Sequence, residues 1–199
     1  MVNNLPNNTL EIMKNEWAEL LKAVKDAEHN YHLFAISTAN GNKPELRTVV
    51  LRAVDVDKYR ISFHTDTRSP KYQQILKNPA VSALFYDPEK RIQLRIKGLA
   101  SPNDDIIQLK KLWNKLNKDS RQCYQGDISP SDPLPNNIMI NPIPDKNSNI
   151  YSKDYGFKNF ARIIVQVSHI EILMLHHLGH KRLKCKLNCS PIETNWLAS

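Results

Sequence analysis

The sequence predicts a mainly β protein of the α+β type, in which antiparallel strands close into a barrel with a few peripheral helices. About eight short segments of the 199 residues have the alternation or the apolar run of strands. Several of these segments are joined by hairpin-type turns, and only two or three segments have helical periodicity. Antiparallel strands joined in this way can pair their free edges by closing into a barrel.

The N-terminal part combines one helix with the first hairpin. Apolar residues at steps of three and four predict an amphipathic helix over residues 9–28. Residues 31–39 are strand-like, and the dipeptide Asn40-Gly41 is the strongest hairpin signal that a short sequence can contain. The return strand is therefore predicted over residues 45–54.

The middle of the chain continues the strand pattern around one short helix. Residues 59–64 alternate as a half-buried strand does. Ser69-Pro70 is typical of a helix start with proline at the first helical position, and this helix is expected to end before the next proline. Two further strands are predicted over residues 80–86 and 91–100, and the second has one apolar and one polar face.

The C-terminal part contains a second amphipathic helix, predicted over residues 104–117, and a long loop. Five of the twelve prolines cluster with asparagine and serine at residues 127–149, which indicates an insertion without regular structure. Strands are predicted over residues 160–167, 170–175 and 181–187. With no internal repeat, we expect the 199 residues to form one domain.

Composition restricts the class of protein. No apolar run approaches the roughly 20 residues of a membrane-spanning helix, and the N-terminus does not have the pattern of a secretory signal. Three cysteines are a small and odd number, which is not typical of a disulfide framework, so the sequence favours a reducing compartment. We expect a cytoplasmic protein without a membrane partner.

The net charge of +8 favours polyanionic ligands, from phosphorylated small molecules to nucleic acid. A basic nucleic-acid-binding barrel is one alternative, with Tyr59, Phe63, Phe85 and Tyr86 as stacking platforms. However, the basic residues alternate with apolar ones, as the two faces of an ordinary sheet require. We therefore expect no nucleic-acid partner.

Two segments could bind a phosphate. Arg47 and Arg52 lie five residues apart on one predicted strand, which puts them on opposite faces of the sheet unless a bulge intervenes. Residues 64–71 follow a strand and open a helix with hydroxyls, backbone amides and Lys71, a suitable cradle for an anion. The alternative is that the arginines are solvated strand charges and that Ser69 only caps the helix.

Four stretches of sequence resemble one family in their order and spacing. The stretches are RTVVLR, FHTDTRSPK, NPAVSALFYDPEKRIQLRIKG and the terminal GHKR…NWLAS. Together they are similar to the pyridoxamine 5'-phosphate oxidase-related flavoproteins, which are FMN-binding split barrels that act as homodimers. The resemblance implies bound FMN, an oxidoreductase activity and a flavin site at the dimer interface.

The resemblance also identifies the residues that contact the flavin. The first motif supplies groups to the phosphate, the ribityl chain and the ring, and the strand end and helix start add phosphate ligands. A glutamine reaches the flavin across the dimer interface, and a late arginine completes the set. By position these residues are Arg47, Thr48, Val49, Val50, Leu51, Arg52, His64, Thr65, Ser69, Lys71, Gln93 and Arg182.

The substrate half of the family pattern is less complete than the flavin half. Arg52, Ser120 and His180 match positions that contact a phosphorylated substrate in the family, and no residue is identified as the catalytic group. Leucines replace one tyrosine and two arginines of the family pattern, at Leu112, Leu116 and Leu178. We therefore expect only weak oxidation of pyridoxamine or pyridoxine 5'-phosphate, and a flavin-binding protein without turnover is the alternative.

Histidines and cysteines crowd together near the C-terminus, at His176, His177, His180, Cys185 and Cys189. Their spacing matches no standard zinc finger, and the region is predicted to be a strand. The family resemblance explains His180 without a metal. We expect no metal site.

Overall fold

The computed structural model describes residues 8–135 and 154–198, in which nine strands form one sheet accompanied by four α-helices and one short 3-10 helix, Phe157–Asn159. Antiparallel pairing throughout confirms the predicted fold class. The elements are α1 (Thr9–Ala23), β1 (Leu33–Asn40), β2 (Lys43–Val50), β3 (Ala53–Asp55), β4 (Arg60–Asp66), α2 (Pro70–Lys77), β5 (Ala80–Asp87), β6 (Ile92–Pro102), α3 (Ile106–Lys115), α4 (Lys118–Gln122), β7 (Phe160–Met174), β8 (Lys181–Lys186) and β9 (Glu193–Leu197).

The sheet curves into a barrel that is not closed. Its strand order is β2-β1-β5-β6-β7-β4-β3, and β8 and β9 continue from the second half of β7. The edge strands β2 and β3 are joined by Leu51 and Arg52. The Leu51 amide donates to the His32 carbonyl at 2.9 Å, whereas the Arg52 amide donates to the Ser62 carbonyl of β4 at 2.8 Å. These two residues therefore cross the split, because each bonds to a different side of it.

The predicted strand boundaries are wrong in two places, within residues 45–54 and within residues 160–175. The reason is the same in both, because a strand ends where its pairing with neighbouring strands ends. The strand expected over residues 45–54 is divided into β2 and β3 at the split. The strands expected over residues 160–167 and 170–175 are one strand, β7. Its first half pairs with β4 and its second half with β8, while β6 pairs along both halves.

A register shift between Lys97 and Gly98 lets β6 follow β7 over this length. A Cβ atom at Gly98 would overlap the carbonyl oxygen of Gln166 on β7. Only glycine allows this close approach of the two backbones.

The helices differ from the predictions mainly at their ends. Helix α1 ends at Ala23 rather than at residue 28, because the Asp26 side chain accepts the Glu28 amide in a turn and the His32 ring bonds the Ala23 carbonyl at 2.7 Å. Helix α4 and strand β9 were not predicted. Helix α2 begins at Pro70 as expected.

The core fills the barrel and extends under α1. Met13, Trp17 and Leu20 of α1 are buried against it, and the rings of Phe34 and Phe85 stack inside the barrel with centroids 4.5 Å apart. A second aromatic group holds the segment after α3 to the ends of β4 and β7. It consists of Trp113, Tyr124, Phe157 and Phe160.

The insertion expected over residues 127–149 is described only as far as residue 135, where no helix or strand is present. Residues 136–149 lie outside the described part. One domain for the whole chain remains a prediction.

Candidate functional site

Arg47 projects from β2 toward the start of helix α2. Its guanidinium donates to the Thr38 hydroxyl, to the Gln74 side-chain oxygen at 3.2 Å and to the Glu45 carboxylate at 3.1 Å. Thr38 and Gln74 are buried, and the Thr38 hydroxyl also donates to Gln74. This network fixes the direction of the Arg47 side chain before any ligand is present.

Lys71 lies in the first turn of α2 beside Arg47. Burial lowers the pKa of the Lys71 ammonium, and the positive charge of Arg47 lowers it further, whereas the negative charge of Asp66 raises it, and the net pKa is lowered. In residues 8–135 and 154–198, Lys71 makes neither a hydrogen bond nor an ion pair through its side chain. Two neighbouring cations with one of them unpaired form an electrostatic site for an anion.

Two buried hydroxyls adjoin this pair of cations. Thr65 Oγ1 and Ser69 Oγ are 3.1 Å apart, and Ser69 also donates to the Asp66 carbonyl at 2.7 Å. The Ser69 hydroxyl does not cap helix α2, although Ser69 stands at the capping position. The interpretation of Ser69 as only a helix cap is therefore wrong, because its hydroxyl is turned toward the end of β4.

The remaining residues of the first motif divide between two faces. Val49 and Leu51 are buried in the core, so only their backbone groups could reach a ligand. Thr48 and Val50 alternate with them and point to the outer side of the sheet. Arg52 is exposed beyond the split, and within the described residues its side chain bonds none of the partners of Arg47, in agreement with the opposite faces that their spacing predicts.

A second polar cluster lies where β4 pairs with β7. His64 of β4 is directly opposite Arg162 of β7, and the Arg162 guanidinium donates to the Ser62 hydroxyl at 3.0 Å. Burial lowers the pKa of His64 to about 3, and the charges of Arg52 and Arg162 contribute in the same direction. The His64 imidazole is therefore neutral over the whole physiological range.

Sequence reasoning did not identify Arg162. It is the one arginine of β7, and the pairing that brings it to His64 joins positions about 100 residues apart along the chain, which no local pattern encodes. Burial lowers the pKa of its guanidinium, and no nearby acid offsets that effect.

Gln93 and Arg182 are brought together on the outer side of the sheet. Gln93 of β6 pairs with Leu173 of β7, and Leu173 pairs with Arg182 of β8, so the three side chains form one row across the sheet. Arg182 is bound by the Glu171 carboxylate. Burial raises the pKa of Glu171, but hydrogen bonding to Arg182 and the charge of Arg95 outweigh it, so the net pKa is lowered.

The remaining predicted substrate contacts lie apart from one another. Ser120 belongs to α4, which precedes Tyr124 in the segment packed on β4 and β7. His180 is exposed in the turn between β7 and β8, where its ring accepts the His176 amide at 3.2 Å. Within one chain, Ser120 and His180 therefore belong to different parts of the fold.

The described part of the chain contains no cluster of three or more possible metal ligands. Cys185, one of the crowded C-terminal residues, is buried in the core, and burial raises the pKa of its thiol to about 11. In the described residues, no helix combines the length and apolar character that crossing a membrane requires.

The comparison with known sequences supports the resemblance. Residues 14–102 match the family described as pyridoxamine 5'-phosphate oxidase, FMN-binding domain. A pyridoxine/pyridoxamine 5'-phosphate oxidase of Psychrobacter cryohalolentis is 33% identical over 96 residues, which are 48% of this chain and 42% of the relative. The enzyme of the same name from Bradyrhizobium is 31% identical over 91 residues, 45% of this chain and 40% of the relative. The alignments thus span about two-fifths of these relatives.

Solved structures share the fold across nearly the whole chain. A pyridoxamine 5'-phosphate oxidase-related, FMN binding protein from Nostoc punctiforme superposes with a TM-score of 0.70 at 20% identity, covering 94% of this chain and 97% of that protein. PhzG from Burkholderia lata, solved with tetrahydrophenazine-1-carboxylic acid, also has a TM-score of 0.70, at 17% identity, covering 99% of this chain and 95% of PhzG. The motifs, the domain matched over residues 14–102 and the open antiparallel barrel agree, and they support the resemblance to the pyridoxamine 5'-phosphate oxidase-related FMN-binding split barrels.

Proposed function

We propose that this protein is an FMN-dependent oxidoreductase and that it binds the FMN phosphate between β2 and the start of α2. The observation that carries the proposal is the half-buried Lys71 ammonium beside Arg47, without an ion-pair partner in the described residues. A phosphate dianion would neutralise both cations, and charge-assisted hydrogen bonds of this kind are the strong ones. The site therefore fits the phosphate end of FMN.

The chain's own groups have distinct roles in this proposal. Thr38 and Gln74 hold the Arg47 guanidinium in place, while Lys71 supplies a charged donor at the helix start. The Thr65 and Ser69 hydroxyls would donate to the phosphate after turning away from their present bonds to each other and to the Asp66 carbonyl. The Glu45 carboxylate, 3.1 Å from the Arg47 guanidinium, would keep its ion pair with Arg47 while the phosphate binds the same guanidinium. Bound FMN supplies a two-electron acceptor for a substrate carbon–hydrogen bond.

We also propose a homodimer, whose contact surface is the outer face. We use this name for the exposed apolar side of β1, β2, β5 and β6. Leu46 is 69% exposed and Leu99 is 59% exposed, and a depression of about 520 Å³ lies on the same side of the sheet. The face comprises Leu33, Leu46, Leu84, Tyr86 and Leu99.

An apolar sheet face of this kind is costly to leave in water, and a second copy can cover it. Gln93 and Arg182 lie on the same side of the sheet, next to Tyr86. In a dimer through this face, they could therefore contact the flavin bound at the partner's Arg47 and Lys71.

The substrate of the proposed oxidoreductase is inferred from the curated relatives and from two substituted positions. The curated relatives are pyridoxine/pyridoxamine 5'-phosphate oxidases, which supports an activity on phosphorylated pyridine vitamers. Leu116 and Leu178 are uncharged where the family has arginines, and each lost charged contact is worth roughly 1.5–3 kcal/mol. We therefore propose that these vitamers are oxidised with a kcat/KM below roughly 10⁴ M⁻¹s⁻¹.

Purification without added flavin, followed by identification of the bound chromophore, tests the proposal most directly. We expect about one FMN per chain, and we expect apoprotein to bind FMN far more tightly than riboflavin, which lacks the phosphate. Equal affinity for the two flavins would exclude the phosphate site. Turnover of pyridoxamine and pyridoxine 5'-phosphate by the FMN-loaded protein then measures the activity.

A further inference from the structure

Arg68 lies in the loop between β4 and α2, directly before Ser69 of the proposed phosphate site. Its guanidinium binds both oxygens of the Asp66 carboxylate, because Nε donates to Oδ1 at 3.0 Å and Nη2 donates to Oδ2 at 2.8 Å. The Arg68 backbone amide also donates to Oδ1 of Asp66, at 2.8 Å. A two-point ion pair of this kind fixes the orientation of both side chains.

The backbone of Asp66 is part of the turn that presents Ser69. The Ser69 hydroxyl donates to the Asp66 carbonyl at 2.7 Å, and the Ser69 amide donates to the same carbonyl at 3.1 Å. Asp66 therefore contacts the proposed phosphate site through its backbone and Arg68 through its side chain.

The Asp66 carboxylate is a buried negative charge within electrostatic range of Lys71. Burial and the Arg47 charge lower the pKa of the Lys71 ammonium, and the Asp66 charge acts in the opposite direction. A carboxylate in this position without a cation of its own would attract the ammonium and repel a phosphate, and burial would strengthen both effects.

Arg68 supplies the missing cation from a fixed position. Its Nη1 donates to the carbonyl of the buried Gly126 at 2.7 Å, so the guanidinium is held between Asp66 and the segment after α4. Hydrogen bonding to Asp66 raises the pKa of the Arg68 guanidinium more than burial lowers it. Because Arg68 stays charged, Asp66 contributes less negative potential at Lys71 than a free carboxylate would.

We propose that Arg68 is a positioning residue of the flavin-phosphate site, which neutralises Asp66 so that the positive charges of Lys71 and Arg47 remain available to the phosphate. The inference rests on the proposed function, because it requires that Lys71 binds the FMN phosphate. Arg68 acts through Asp66 and does not itself contact the ligand. An arginine suits this role because its planar donor set pairs with both oxygens of a carboxylate.

Two substitutions with opposite expected effects test the proposal by fluorescence titration of apoprotein with FMN and riboflavin. In Arg68→Gln, Asp66 keeps its charge and loses its cation, so FMN should bind roughly three- to thirtyfold more weakly. In Asp66→Asn, the amide oxygen can still accept the Arg68 amide but the negative charge is gone, so FMN affinity should equal or exceed that of the wild type. Riboflavin affinity should hardly change in either variant, because riboflavin has no phosphate.

Three further variants serve as controls. Arg60→Gln removes one positive charge at the other end of β4, six residues or about 20 Å from Asp66, and should bind FMN as the wild type does. Arg68→Lys keeps the charge without the planar donor set and should bind FMN more tightly than Arg68→Gln. The double variant Asp66→Asn/Arg68→Gln removes both charges and should regain the wild-type affinity for FMN.

Equal losses of FMN affinity in Arg68→Gln and Asp66→Asn would overturn the inference, because the ion pair would then act only by holding the loop. Wild-type FMN affinity in Arg68→Gln, or an equal loss of riboflavin affinity, would also overturn it. If Arg68→Gln does not fold, Asp66→Asn decides alone, since an FMN affinity below that of the wild type contradicts the inference and an equal or higher one supports it.

The proposed function is judged separately, from the wild type alone. A wild type that does not prefer FMN to riboflavin would show that the phosphate site is wrong, and the role of Arg68 would be wrong with it. A wild type that prefers FMN, with variants that fail the comparison, would leave the phosphate site standing and exclude only the role of Arg68.

Discussion

The ammonium group of Lys71 lies close enough to the guanidinium of Arg47 for the Arg47 charge to lower the Lys71 pKa. The two residues come from different elements, β2 and α2, and both are partly buried. Such a pair of like charges destabilises the protein unless an anion binds between them.

Replacing Lys71 by methionine should weaken FMN binding roughly ten- to a hundredfold, because one charge-assisted contact of about 1.5–3 kcal/mol is lost. Riboflavin affinity should hardly change. Lys77→Met, at the exposed end of the same helix, is the control. Fluorescence titration of apoprotein with both flavins measures the effect.

In the apoprotein, by contrast, replacing Lys71 by methionine should not weaken the fold. Removing the Lys71 charge relieves its repulsion by Arg47, so the free energy of unfolding without FMN should stay equal or rise. Urea denaturation of both apoproteins provides the comparison. A clearly lower free energy of unfolding for the Lys71→Met apoprotein would contradict the prediction, because it would mean that Lys71 stabilises the protein through a contact with another residue.

Placing a charge at the centre of the outer face should separate the dimer. In Leu84→Lys, the new ammonium lies beside Arg95, its neighbour across β5 and β6, so a second copy would have to bury repelling charges. We expect a monomer with reduced FMN affinity, measured by light scattering and flavin titration. Ile107→Lys, on exposed α3, should remain dimeric. A Leu84→Lys variant that is still a dimer would place the interface elsewhere.

Adding one methyl group at Gly98 should destabilise the protein severely. The Cβ of alanine would overlap the Gln166 carbonyl and press on Val165 of β7, in the longest strand pairing of the sheet. We expect a loss of about 1–3 kcal/mol in the free energy of unfolding, the range for forcing an extra carbon into a packed interior. Ser101→Ala, exposed on the same strand, should change it by less than about 0.5 kcal/mol. Thermal denaturation of both variants gives the comparison.

Glu19 should make stability depend on pH in the acid range. Hydrogen bonds from Lys22 and then Lys90 lower the pKa of Glu19 to about 2, against 4.5 for a free glutamate. Because the folded pKa is the lower one, the contribution is complete above about pH 4.5 and is lost as the pH falls toward 2. Since the cluster lies at the surface, we expect only about 1 kcal/mol.

Chemical denaturation at several pH values tests this prediction, with Glu19→Gln as the variant. At neutral pH the variant should be less stable than the wild type, and the difference should shrink steadily below pH 4.5. Glu11→Gln, on the exposed first turn of the same helix, should show no such convergence. A difference that is constant with pH would show that the ion pairs at Glu19 contribute nothing.

Much of the fold could be predicted because its signals are local. The Asn40-Gly41 turn, the alternation in β6 and the proline at the start of α2 each determine a structure within a few residues. The family resemblance is local in the same sense, since RTVVLR and FHTDTRSPK are continuous stretches. Their assignment to FMN remains a prediction for each residue.

Other features depend on pairings between distant parts of the chain. The break of the second strand at Leu51 and Arg52 exists because their amides bond to opposite sides of the split. The single long strand β7 exists because β4 and β8 pair with its two halves. A run of strand-forming residues has the same sequence pattern whether it pairs with one strand along its whole length or with two different strands.

The sequence by itself determined the antiparallel barrel, the start of the helix that contains Lys71 and the family resemblance, because periodicity, turn chemistry and motif order are properties of neighbouring residues. The tertiary structure alone decided that Arg162 lies opposite His64, that Lys71 adjoins Arg47 and that Gln93 forms a row with Arg182. Strand register sets these neighbours, and register follows from burying one face of each strand against partners far away in the chain.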